Sequence, residues 1–155
     1  MGTLEIKNRL IRSATDEGFA TPEGAPTQRL IDIDTELARG GVGLIIAGTA
    51  HISLEGKWGN NGIGMDHDNL IKPLKRLCKA THEAGGILAA QLLHCGATVN
   101  PATLSERGAL LGPSAMIDPL FGQPVEELTK GHILKIVDDY AKAQGGHRKV
   151  MSFQL

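Results

Sequence analysis

The sequence predicts an α/β chain built on a parallel sheet, and three observations carry that prediction. The apolar runs from Val42 to Ala47 and from Ile87 to Leu93 are continuous rather than alternating, as strands covered on both faces require. Segments with helical spacing lie between the runs. Each of those segments stops at a glycine pair, Gly40-Gly41 and Gly85-Gly86, immediately before a strand. Strand, helix, strand, helix, strand amounts to two successive crossover units.

Taken in order, the short apolar pair Leu10-Ile11 opens a first strand that runs into Arg12-Ser13-Ala14-Thr15. Residues 27–39 form a helix with Leu30, Ile33 and Leu37 at spacings of three and four, and the second strand follows. Residues 68–84 repeat the design, with Leu70, Ile71, Leu74, Leu77 and Cys78 on one face, and lead into the third strand. The region from Thr98 to Glu127 holds Pro101, Pro113, Pro119 and Pro124, too many breakers for a tight connection, and it reads as a lid or binding loop. Thr129 is the N-cap expected for a third amphipathic helix carrying Ile133, Ile136, Val137 and Tyr140. After Ala143 comes a basic cluster with at most a five-residue strand candidate. The division expected is one domain over residues 1–143 and a divergent tail over 144–155.

Composition narrows the function classes. A net charge of −1 over 155 residues, with both signs scattered, provides no basic stripe for nucleic acid. No apolar run approaches the roughly 20 residues of a spanning helix, and the start lacks a basic-then-apolar leader, so no membrane role and a cytoplasmic location are expected. Cys78 and Cys95 sit in unlike contexts without metal-ligand spacing. Gly40-Gly41-Val42-Gly43 runs from helix into strand, the reverse of a dinucleotide-binding turn. His67 and Asp66 read as capping and solvated-face residues.

The stretch Gln91-Leu92-Leu93-His94-Cys95-Gly96 places polar groups where a buried parallel strand ends, the edge at which barrel and open α/β folds locate their chemistry. Together with Lys7-Asn8-Arg9-Leu10-Ile11-Arg12-Ser13-Ala14-Thr15, Gly41-Val42-Gly43-Leu44-Ile45-Ile46 and Gly112-Pro113-Ser114-Ala115, it resembles the N-terminal part of old yellow enzyme type NADH:flavin oxidoreductases. The resemblance runs from about Leu4 to Ala143. It implies a partial (β/α)8 TIM barrel, the first three βα units of a fold that takes roughly 250 residues when complete. It also implies FMN as cofactor, NAD(P)H as co-substrate and an activated alkene as the small-molecule substrate. Residues 2–7 resemble the second half of the hairpin that closes the barrel's bottom in that family.

By the same resemblance, Gln91 binds the pyrimidine edge of the flavin, where a carboxamide matches alternating C=O and N–H groups. Ser13, Ala14, Thr15 and Asp16 pass along the ring with backbone amides facing it, and Thr49 is the small residue set against it. For Asp16 two readings stand: a carboxylate near the flavin that lowers its potential, or an exposed side chain capping the next turn. His94 likewise either sets polarity near the flavin or bonds a neighbouring carbonyl. The family's substrate-polarising pair, later arginine and phosphate loops have no match here, so no catalytic residue is assigned. A non-catalytic half-barrel that binds flavin weakly or associates with another chain through its open sheet edge is the alternative. Another flavin or phosphate-handling barrel fits the alternation but not the quoted motifs.

Overall fold

The computed structural model describes residues 4–100 and 109–150, the last five as backbone only. Three strands, β1 (Ile11–Thr15), β2 (Leu44–His51) and β3 (Ile87–Leu93), form a parallel sheet in the order β1-β2-β3. Helix α1 (Gln28–Arg39) connects the first pair, and α2 (Ile71–Glu83), entered through a 3-10 turn at Asp68–Leu70, connects the second. Both helices end in the same way. Val42 N–H reaches the Leu37 carbonyl and Gly41 N–H that of Ala38, while Gly86 N–H reaches Thr81 and Gly85 N–H reaches His82. Gly41 and Gly85 adopt φ of 97° and 84°. The paired bonds with a left-handed glycine satisfy the last helical carbonyls and turn the chain into the next strand.

One face of the sheet is covered by the two helices. Ile45, Ala47, Ala50 and Leu88 meet Leu30, Ile31 and Ala38 of α1 and Leu74, Leu77 and Cys78 of α2 in one core. Each large aliphatic side chain fully buried here contributes about 1.5–3 kcal/mol. The deep stripe of α1 is Leu30, Ile31, Asp34 and Ala38, not the Leu30, Ile33, Leu37 stripe expected from spacing. Because α1 packs against α2 as well as the sheet, its buried arc turns toward Ile31 and Asp34. Asp34 is thereby 3% exposed, and burial, helped by the charge of Glu17, pushes its carboxyl up to about 6.

The opposite face is open. Ile11 pairs with Leu44, Leu44 with Ile87, and Ile46 with Ala89, so by strand alternation these apolar residues share one side. Leu44, Ile46, Ile87 and Ala89 are only half buried and lie outside the helix-covered core, and Ile11 is 55% exposed. That side corresponds to the interior of a closed barrel. At the bottom of the sheet, Lys7 Nζ donates to the carbonyls of Gly85 (2.7 Å) and Ala38 (3.4 Å), and Asn8 Nδ2 to that of Gly41 (2.8 Å). Lys7 and Asn8 thus tie the chain's start to both helix ends; residues 4–7 form no strand, and Gly2 and Thr3 of the expected hairpin half lie outside the described residues.

The breaker-rich region is more structured than a loop. Strands β4 (Leu110–Gly112), β5 (Met116–Ile117) and β6 (Pro124–Glu127) make a small sheet in the order β4-β6-β5, over a second cluster of Val99, Leu110 and Val125. The Asp118 carboxylate, 1% exposed, anchors the turn between β5 and β6 by accepting from Thr98 Oγ1 (2.9 Å) and Phe121 N–H (2.8 Å). Pro101 lies outside the described residues. Helix α3 (Lys130–Val150) begins at Thr129, whose hydroxyl accepts from His132 N–H while His132 Nδ1 accepts from Thr129 N–H, a reciprocal cap. The helix continues past Ala143 to Val150, so the first part of the expected tail, residues 144–150, is helical, and residues 151–155 lie outside the described residues.

Candidate functional site

Everything polar at the C-terminal edge of the main sheet depends on two irregularities in register. Between the pairs Arg12–Ile45 and Thr15–Ala47, β1 advances three residues while β2 advances two, a bulge containing Ser13 and Ala14. Between Ala47–Ala90 and Thr49–Gln91, β2 carries Gly48 as an extra residue against β3. Gly48 is what lets the bulges nest, since a Cβ there would sit 2.0 Å from the Thr15 carbonyl oxygen. Only glycine permits that approach. The result places Thr49 directly beside Gln91, with the end of β1 one strand further on. The span from β1 to β3 is about 10 Å at ordinary strand spacing.

Of the six residues expected to hold a cofactor, Gln91 and Thr49 are register partners, with Gln91 exposed and Thr49 half buried. Ser13, two residues beyond Ile11, is exposed on the bulge, and Ala14 beside it is half buried. The Thr15 hydroxyl turns instead to the Arg12 guanidinium, which leaves its backbone as the part available at the edge. Asp16 is exposed, and its Oδ1 accepts from Gly18 N–H at 3.1 Å, the turn-capping geometry. His94 Nδ1 accepts from Gly96 N–H at 3.1 Å, and its ring packs over Gly56, where a Cβ would lie 2.7 Å from Cδ2. The bond from Gly96 makes Nδ1 an acceptor and leaves Nε2 as the nitrogen that carries a proton in the neutral ring.

Sequence reasoning missed several features around this edge. Asp66, read as solvated, is 11% exposed and lies 3.7 Å from His51 Nε2 and 3.5 Å from His67 Nε2. His51 ends β2 and is 3% exposed, so its facing acid is fixed by the packing after β2 rather than by any spacing in the sequence. Lys57, 4% exposed, donates Nζ to the Pro22 carbonyl at 2.5 Å and ties the loop after β2 to the loop after β1. Asn61 does the same through Ala20: its Nδ2 donates to the Ala20 carbonyl and its own carbonyl accepts from Ala20 N–H. A cavity of about 260 Å³ lies just past the end of β3, between His94, Glu55, Leu111, Glu126 and the first turns of α3 at His132 and Lys135. The Cys78 thiol is pushed up to about 11 by burial, which makes it a packing residue rather than a nucleophile.

Beside this geometry, a parallel sheet with polar residues at its C-terminal edge and two nested bulges, stands the match of residues 1–148 to the model of the NADH:flavin oxidoreductase / NADH oxidase family. The chain belongs to the NADH:flavin oxidoreductase / NADH oxidase family. Among its relatives are a metal reductase of Desulforamulus reducens, 36% identical over 92% of this chain but 21% of that protein, and a 4,4'-dithiodibutanoate disulfide reductase of Rhodococcus erythropolis, 34% identical over 89% of this chain and 32% of that one. The structure of an old yellow enzyme homologue from Zymomonas mobilis superposes with a TM-score of 0.83 at 28% identity, over 96% of this chain and 43% of the other. The chain thus spans a fifth to under half of these relatives. As a member of the family it presents the partial barrel that the sequence implied: three parallel strands with their helices. No helix among the described residues is long and apolar enough to cross a membrane.

The strand-end residues of this family member fit a flavin's polar edge. Gln91 offers two donors and an acceptor from an exposed position, Thr49 adds a hydroxyl beside it, and the bulged end of β1 lies one strand further on. Small side chains at Ser13, Ala14 and Thr49 leave room for a planar ring to approach the backbone.

Proposed function

We propose that this chain carries the ring-edge part of an FMN site of old yellow enzyme type, serving NAD(P)H-dependent reduction of an activated carbon–carbon double bond. The observation that supports it is the register pairing of Thr49 with Gln91 beside the bulged end of β1. In this reading Gln91 holds the pyrimidine edge, Thr49 and Ala14 set the close approach, and backbone amides of Ser13 to Asp16 face the ring. FMN, when bound at these residues, would supply hydride transfer from NAD(P)H to one alkene carbon, the other carbon taking a proton from a side chain or water. The protein's part along these strands is to bind, orient and tune.

A second reading is favoured by the open apolar face of the sheet: a half-barrel without turnover of its own that associates with another chain or with itself. A flavin titration of the 155-residue polypeptide, followed by an NADPH oxidation assay with a simple enone, tests whether the ring-edge residues bind flavin and whether this polypeptide turns over by itself. The expected result is weak FMN retention and no turnover by this polypeptide alone, because phosphate clamps supply charge-assisted bonds of about 1.5–3 kcal/mol each and the residues assigned here contact only the ring. A yellow, stoichiometrically loaded and active polypeptide would refute the half-barrel reading and leave ene-reduction standing.

A further inference from the structure

We propose that Arg12 is a positioning residue that fixes the bulged end of β1 in the shape it offers to a ligand at the sheet edge. The inference rests on the flavin reading for its purpose but not for its geometry. Arg12 pairs with Ile45 in the regular part of the ladder, immediately before the bulge. Its guanidinium then reaches forward over three successive partners: Nη1 donates to the Ser13 carbonyl (3.2 Å) and to the Thr15 hydroxyl, and Nη2 donates to Glu17 Oε1 (2.9 Å). The Thr15 hydroxyl also donates to the Ser13 carbonyl (3.3 Å). The Arg12 and Glu17 side chains are 30% and 15% exposed, so the pair is partly withdrawn from water.

A bulge leaves backbone groups outside the ladder and free to choose other partners. Here the Ser13 carbonyl takes its bond from Arg12, which stops that peptide from rotating into an alternative pairing. The planar fork suits this task, because several N–H groups at fixed angles hold a carbonyl, a hydroxyl and a carboxylate at once, whereas an ammonium has no such fixed geometry. Gly48 acts from the other side, where the absence of a side chain admits the Thr15 carbonyl. Arg12 and Gly48 together determine where the amides of Ser13 to Asp16 point, and neither lies among the residues assigned to touch the ligand. Arg12 therefore acts through the backbone it holds.

The test is residue-resolved amide hydrogen exchange on the 155-residue chain and on Arg12→Gln, Arg12→Lys and Glu17→Gln, with thermal unfolding and an FMN titration run in parallel. Arg12→Gln is expected to speed exchange at Ala14 to Gly18 about tenfold while β3 amides and the unfolding midpoint stay close to those of the parent. Arg12→Lys should recover part of that protection, and Glu17→Gln should cause a smaller, several-fold loss. FMN affinity should fall in the same order. Unchanged exchange at Ala14 to Gly18 in Arg12→Gln would overturn the proposal, as would a loss of protection spread evenly over β2 and β3. If exchange responds as stated while the parent shows no FMN binding by any readout, the positioning role stands and the flavin reading falls.

Discussion

The two faces of the main sheet are built from the same kind of residue and end in opposite situations. On the helix side Ile45, Leu77 and Leu88 are at most 2% exposed, while on the other side Ile11 is 55% exposed and Leu44, Ile46, Ile87 and Ala89 are half buried. A strand meant to show one face to water alternates apolar and polar residues; these do not. The chain is therefore composed for a sheet covered twice, and the described residues cover it once. In the proposed reading the polar strand ends frame the site, and the apolar open face is the floor a complete barrel would close over.

The largest effect should come from truncating the covered face. Leu88→Ala should cost about 2–5 kcal/mol in chemical denaturation, against no more than about 0.5 kcal/mol for Ile11→Ala on the open face. Equal costs would erase the contrast. Gly48→Ala should come next, since its new methyl would meet the Thr15 carbonyl oxygen at 2.0 Å and force the strand ends apart. Fast amide exchange at the ends of β1 and β2, with α2 unaffected, is the expected signature.

Asp34 gives a smaller effect with a defined pH window. Its folded-state pKa, raised from 3.8 to about 6 by burial and by Glu17, means that the unfolded chain ionises first. Stability contributed by the protonated form is therefore present at low pH, declines as pH rises from about 4 to about 6 and levels off above, by about 2–3 kcal/mol. Asp34→Asn should remove most of that slope in denaturation curves between those values. A variant that keeps the full slope would assign it to other groups.

The smallest expected effect concerns association. The unpaired edges of β1 and β3 and the open face should make the sedimentation coefficient rise with concentration, and Ile87→Lys should reduce the rise. A concentration-independent monomer would show that the face needs no cover.

How much of this was legible in the sequence follows the same division. The three parallel strands and two helices could be read because continuous apolar runs and paired glycines mark them strongly, and Gly41 and Gly85 indeed take left-handed φ. The helical start of the tail was not legible, because a glycine pair such as Gly145-Gly146 ends a helix when a buried strand draws the chain away, and here the basic stretch His147-Arg148-Lys149 follows and α3 runs on. Strands β4 to β6 escaped notice because they are two to four residues long and one begins at Pro124. The buried positions of Asp34, Asp66 and Lys57 were illegible because burial of a charge is decided by what packs around it. Thr15 at the end of β1, and Thr49 and Gln91 two residues short of the ends of β2 and β3, were found, but the two bulges were not, since register is a property of pairs of strands.

The central claim is that a flavin ring meets this chain at the adjoining ends of β1, β2 and β3, and chemical-shift mapping with FMN at millimolar concentration tests it even when binding is weak. The expected result is that amide shifts concentrate at Ser13 to Asp16, Thr49 and Gln91, and that the shifts at Thr49 shrink in Gln91→Leu. Shifts confined to the cavity between His94, Glu55 and His132, or an identical titration for Gln91→Leu, would contradict the account.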